Sequence, residues 1–129
     1  MPIINVTQAD LLKTKVFEAG WYPAKIAKIS ALTTSKAGNS LNLTITFALG
    51  GLAVGKEIDE TFNSQLWGKL APVFKAATGK DMDPGQFDTD QLLGKDCDAQ
   101  LITDTYNGNL MNRIANYLPL GKGNNQATF

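Results

Sequence analysis

Residues 20–49, GWYPAKIAKISALTTSKAGNSLNLTITFAL, decide the fold of this chain. They read as two long antiparallel strands joined by a small polar turn. In the second strand Leu41, Leu43, Ile45, Phe47 and Leu49 share one face, and Asn42, Thr44, Thr46 and Ala48 share the other. Strict period-two alternation marks a strand with one buried face. The first strand carries Tyr22, Ala24 and Ile26, then Ala27 and Ile29, on its apolar side. Its parity shifts once after Ile26, as a β-bulge would make it. A long, bent first strand is what a small barrel needs to turn a corner. Thr33–Ser40 contains Ser, Lys, Ala-Gly and Asn-Ser and reads as the connecting turn or loop. The outer face then gathers Lys25, Lys28, Lys36, Asn39, Asn42, Thr44 and Thr46. Those groups suit a phosphate backbone better than an apolar partner.

Upstream, Thr7-Gln-Ala-Asp10 resembles a helix start, followed by Leu11, Leu12, Val16 and Phe17. A short helix and an extended lead-in both fit residues 1–19. Downstream, residues 49–55 (LGGLAVG) form a glycine-rich reversal without phosphate-loop spacing. Lys56–Phe62 is a third strand, with Ile58 and Glu60 on one parity. Asn63 or Ser64 can cap an amphipathic helix through Leu66, Leu70, Val73, Phe74 and Ala77, which Gly79 closes. Pro72 inside it predicts a kink or two abutting helices. Trp67 beside its apolar face is expected to pack on the sheet. Lys80–Gly94 reads as a loop with one helical turn capped by Asp88 or Thr89. Lys95–Tyr106 is a fourth strand, and Asn107-Gly108 is a strong hairpin signal. Leu110–Leu118 is the fifth. Ile114 and Leu118 point one way, and Met111, Arg113, Ala115 and Tyr117 the other. Pro119 ends it, and the aperiodic tail is expected to be flexible.

Three strands, a helix and two strands make a mainly β chain with one principal helix, in the order of a five-stranded OB-fold barrel. Another small five-stranded barrel, or an open α+β sheet, shares part of the pattern. The expectation is a single OB-fold domain over residues 1–129, with a lead-in (1–16), a core (about 17–119) and a tail (120–129).

Composition narrows the function classes. No run approaches the ~18 apolar residues of a membrane span, and MPIINVTQAD lacks a basic region followed by an apolar stretch, so no signal peptide is expected. Cys97 alone makes no internal disulfide, which points to the cytoplasm. The Asn5-Val6-Thr7 sequon is then a chance match. Net charge is +0, but it is unevenly spread: +4 over residues 1–56, −6 over 57–104 and +2 over 105–129. If the two basic ends share one side of the fold, that side carries a positive field. With no histidine, His-based acid–base and triad chemistry is excluded. Cys97 lies mid-strand as a packed thiol. Asp81, Asp83, Asp88 and Asp90 fail the calcium-loop pattern, since Gln86 and Leu92 stand where Gly and Glu are needed. No metal site, no cofactor and no enzymatic activity is expected. A magnesium nuclease would need a paired acidic geometry that these loops do not display.

Six stretches carry a family resemblance: Ala19-Gly-Trp-Tyr-Pro-Ala-Lys-Ile26, Ser35-Lys-Ala-Gly-Asn39, Ala76-Ala-Thr-Gly79, Leu93-Gly-Lys95, Tyr106-Asn-Gly-Asn109 and Asn112-Arg-Ile-Ala-Asn-Tyr117. Their order and spacing over residues 17–119 resemble the small OB-fold single-stranded DNA-binding proteins encoded by bacteriophages. The resemblance implies a protein that coats and protects single-stranded DNA, largely independently of sequence, during phage replication or recombination. It also implies a host-cytoplasm setting and replication or recombination proteins as partners. Homologues that recruit partners end in an acidic tail; this chain ends Asn-Asn-Gln-Ala-Thr-Phe129, without acids. Tail recruitment is therefore not carried over.

Stacking plus charge would be the mechanism, because a single strand offers one phosphate and one open base face per nucleotide. Lys25, Lys28, Lys36 and Arg113 are the phosphate candidates. Asn39, Asn42, Thr44, Thr46, Asn109 and Asn112 are the hydrogen-bonding candidates. Trp21, Tyr106 and Tyr117 are the stacking candidates, Tyr117 outward by its shared parity with Arg113. Either Trp21 or Tyr22 plugs the barrel end. So few aromatics predict weak or cooperative binding. The competing reading is a non-enzymatic adaptor making protein contacts, and a homodimer through the glycine-rich loop or a sheet edge fits either.

Overall fold

The computed structural model describes residues 2–123. In chain order these residues form α1 (Gln8–Thr14), β1 (Gly20–Ile29), β2 (Thr33–Thr34), β3 (Leu41–Leu49), β4 (Glu57–Asn63), α2 (Leu70–Thr78), β5 (Asp96–Tyr106) and β6 (Asn109–Pro119). The chain is mainly β with one main helix. The strands make one antiparallel sheet in the order β2-β3-β1-β5-β6, and β4 pairs with β3. Asn42 of β3 meets both Thr33 and Asn63, so β2 and β4 lie on opposite sides of β3.

The period-two pattern of β3 is realised except at Leu41, which is exposed at the strand's start, and at Thr46, which is buried on the polar face. Leu43, Ile45, Phe47 and Leu49 are buried, together with Tyr22, Ala24 and Ile26 of β1, Ile58 and Phe62 of β4, and Cys97, Ala99 and Leu101 of β5. Leu70, Val73 and Ala76 turn the apolar face of α2 into the same cluster, and α2 packs across β6 and β5. Each large aliphatic side chain removed from water in this way contributes about 1.5–3 kcal/mol. The bulge expected in β1 lies between Ile26 and Lys28.

Three local outcomes differ from, or settle, the sequence reading. The segment expected as a plain turn contains β2, because the β-branched Thr33 and Thr34 pair with Asn42 and Leu41; six strands result rather than five. The helix expected from Leu66 is broken. A 3-10 stretch, Ser64–Lys69, is capped by the Asn63 side chain, Leu66 leaves helical geometry at φ −134, and α2 begins only at Leu70. Pro72 thereby falls in the first turn of α2, where its missing N–H costs nothing. The lead-in is helical. Thr7 and Asp10 form a reciprocal capping box, and at the other end the Lys56 ammonium donates to the carbonyls of Leu12 (3.0 Å) and Lys13 (2.8 Å). A cation at a helix C-terminus satisfies orphan carbonyls and the helix dipole together.

β4 and β6 come side by side without a ladder between them among the described residues. One side chain spans the gap: the Glu60 carboxylate accepts from the Ile114 N–H (3.2 Å) and lies 3.6 Å from the Arg113 guanidinium. Beyond β6 the chain is tied down as far as Gly123. The buried Asp98 carboxylate accepts from the backbone N–H groups of Gly121 (2.9 Å) and Gly123 (3.0 Å). The flexible tail expected over 120–129 is thus an ordered turn at its start; residues 124–129, with the non-acidic terminus, lie outside the described residues. No described helix is long and apolar enough to cross a membrane.

Candidate nucleic-acid interface

The outward residues of β3 and β4 form a double row: Asn42 opposite Asn63, Thr44 opposite Thr61, Thr46 opposite Asp59, and Ala48 opposite Glu57. Cross-strand hydrogen bonds join it. Asn63 donates to the Asn42 side-chain oxygen (2.9 Å), the Thr44 and Thr61 hydroxyls share one bond (3.0 Å), and Thr46 donates to Asp59 (2.7 Å). Asn42, Thr44 and Thr46 therefore share one face of β3, but each already spends one polar group on β4, and Thr46, expected as a contact residue, is buried. On β1, Lys28 sits opposite Thr46 and Lys25 opposite Ala48. Both are exposed, and Lys25 lies 3.9 Å from Asp96.

Two hairpins rise at opposite ends of this row. At one end, beyond the end of β1, Ser35 and Ser40 close a tight turn by backbone and hydroxyl bonds and hold Lys36 and Asn39 in solvent. At the other, β5 runs past Gly20, where β1 starts opposite Leu101. Its last residues, Ile102–Tyr106, and the first of β6, Asn109–Met111, are exposed on both faces. Asn107 (φ 53) and Gly108 (φ 81) make the turn, the positive-φ pair that matches strand twist. Tyr106, 67% exposed, and Asn109 stand at this tip. Arg113 lies at the root of the tip, between Glu60 and Asp104 (3.8 Å).

Three expected contact residues are placed otherwise. Tyr117 faces the core. A bulge in β6 between the partners of Gln100 and Leu101 leaves Ala115 unpaired and reverses the parity read from Arg113. The Tyr117 ring stacks tilted on Phe47 at 5.3 Å, and burial, then Glu60, raises its hydroxyl pKa. Asn112 is buried and saturated. It accepts from the Phe17 N–H (2.7 Å) and donates to the carbonyls of Phe17 (2.9 Å) and Ile102 (3.3 Å), clipping the lead-in to β6. Trp21 lies outside the core cluster but is half-buried, and Tyr22 is the core plug, its hydroxyl donating to the Glu18 carbonyl (2.7 Å). Gly123 lies on the indole of Trp21 so closely that a Cβ there would overlap the ring.

The electrostatics are mixed. Lys25 and Lys28 share the outer surface with Glu57, Asp59 and Asp96 of the neighbouring strands, so the positive side expected from the charge distribution is not assembled on the β3–β4 row. Among the described residues Lys28 and Lys36 make no ion pair. Lys13 and Lys15, not singled out from sequence, line a groove of about 780 Å³ with Arg113, Glu57, Asp59 and Glu60. Glu60 and Asp98, which hold the β4–β6 gap and the C-terminal turn, were also missed. The one signal for Glu60 was an acid on the inward parity of Ile58 and Phe62. Among the described residues no group of three or more His, Cys, Asp or Glu side chains is placed to hold a metal ion. Cys97 is fully buried, its thiol pKa pushed up to about 12 by burial and then by Asp98 and Asp96. No protein-family model and no curated protein sequence matches this chain.

Proposed function

We propose that this chain is a non-enzymatic single-stranded DNA-binding protein built on an OB-fold barrel. The barrel reading is supported by the strand order and by the approach of β4 to β6 across Glu60, which brings the two sheet edges together. One observation carries the functional reading: a polar Asn/Thr row lies between two projecting hairpins, one bearing Lys36 and Asn39, the other Tyr106 and Asn109. Single strands suit such a surface, because their phosphates need donors and their bases need a stacking partner. Lys25, Lys28 and Lys36 supply the phosphate contacts and Tyr106 the stacking platform. The acids alongside keep affinity modest. Replication or recombination of DNA in a phage-infected cytoplasm is the setting this reading implies.

The test is an anisotropy titration of a labelled strand of about 30 thymines against a duplex of equal length. Saturable binding to the single strand is expected, with a log–log salt slope of about −2 for three phosphate contacts. Lys28→Glu with Lys36→Glu should weaken it at least tenfold while leaving the circular dichroism unchanged. No binding at low salt overturns the reading. A protein adaptor is favoured instead by one observation, the exposed Ile102, Tyr106, Leu110 and Met111 clustered on one hairpin. Binding that survives high salt, to a protein partner and not to DNA, would select it.

A further inference from the structure

The groove of about 780 Å³ lies between the outer edges of β4 and β6. Its walls are Glu57–Thr61 and Asn109–Arg113, with Lys13–Val16 along one side. Glu60 bridges the two strands at Ile114, and past that point they have no strand between them among the described residues. Leu110 is on the inward parity of Asn112 and Ile114, yet it is 63% exposed among the described residues. Five residues of β4 span about 16 Å, the length of a short strand, and the two flanking edges carry no ladder on this side among the described residues.

The same chain carries a segment that lacks cover. Pro2–Val6 is outside any helix or strand, and Ile3 (92%), Ile4 (79%) and Val6 (61%) are exposed. It is uncharged, rich in β-branched residues and five residues long. It precedes the N-terminal end of α1, whereas the groove is lined from the C-terminal end of that helix onward. The Thr7–Asp10 box fixes where α1 starts, Lys56 fixes where it ends, and the chain continues from there along the groove wall.

We propose that Pro2–Val6 of a second copy of this chain adds as a strand in this groove, with the exchange made reciprocally in a closed two-fold dimer. Ile4 and Val6, which share one face of the added strand, lie against Leu110 and Val16, while the backbone pairs with the open edges, as in strand addition generally. The dimer does not depend on DNA binding.

The decisive experiment mixes two variants of the full chain, one with Ile4→Cys or Val6→Cys and the other with Leu110→Cys, under mild oxidation; Cys97 is fully buried and stays out. A disulfide joining the two different chains is expected. Sedimentation should show a concentration-dependent dimer whose Kd rises at least tenfold in Ile4→Asp with Val6→Asp, with the circular dichroism preserved. A protein that is monomeric at all concentrations overturns the proposal. So does a doubly substituted chain that cross-links only within itself, or a dimer indifferent to the Asp substitutions.

Discussion

The hairpin of β5 and β6 is one ladder, interrupted by the bulge at Ala115, with two unlike halves. At its base, Cys97, Ala99, Leu101 and Ile114 wall the core; at its tip, Ile102–Tyr106 and Asn109–Met111 are in solvent on both sides. Backbone pairing runs through both halves apart from that bulge, and the tip is no less strand-like in composition. The difference is what lies beneath. The base has α2 and β1 packed against it and Phe47 of β3 on Tyr117, whereas the tip has outrun β1. Hydrogen bonding alone leaves a two-stranded ribbon marginal, so stability should be concentrated in the base and the tip left for contacts with other molecules.

The sharpest way to break this comparison is to truncate one residue in each half. Leu101→Ala should cost about 2–5 kcal/mol by urea unfolding, since a fully buried side chain leaves a cavity. A cost below 1 kcal/mol would mean that the base is not the core. At the junction, Asn112→Ala leaves the Phe17 N–H and carbonyl without their side-chain partner and should cost about 1–3 kcal/mol. Hydrogen exchange at Phe17 should rise with it.

Alkaline pH should act through the base as well. The Cys97 thiol stays protonated in the folded state where the unfolded chain ionises it, its pKa standing at about 12 against an ordinary 9.0. Its stabilisation is therefore complete below pH 9 and is lost as pH rises toward 12, at about 1.4 kcal/mol per unit. Tyr117, also raised, acts in the same direction at higher pH. Cys97→Ala should flatten the pH 9–10 part of the stability curve. The smallest effect is expected at the tip: Leu110→Thr should change stability by less than about 0.5 kcal/mol, while weakening the dimer proposed above. A large stability loss there would mean that something already covers Leu110.

The same contrast shows what could be read in advance. β3 was legible because every outward residue is polar but Ala48, and every inward one apolar. The Asn107-Gly108 turn, the Asn63 and Gly79 caps and the β1 bulge were legible for the same reason: each has a local chemical signature. The bulge at Ala115 has none, and it alone reversed Tyr117. Asn112 and Asp98 look like surface residues in sequence; their partners Phe17, Gly121 and Gly123 are far away along the chain, so only tertiary placement reveals them as buried clips. The candidate interface was thus legible as a polar face with two turns, but its charge balance was not, because β4 and β5 bring Glu57, Asp59 and Asp96 beside the lysines.

The glycine lying on Trp21 has a spectroscopic consequence. The chain has two tryptophans, and Trp67 is packed against the core. Trp21 is instead covered by a turn whose hold is the Asp98 carboxylate. In a Trp67→Phe protein the remaining emission would report whether that turn is seated, not whether the core is intact. Its red shift on mild denaturation would precede the loss of secondary structure, and iodide would reach the ring first. A side chain at position 123 would produce the same emission without any denaturant.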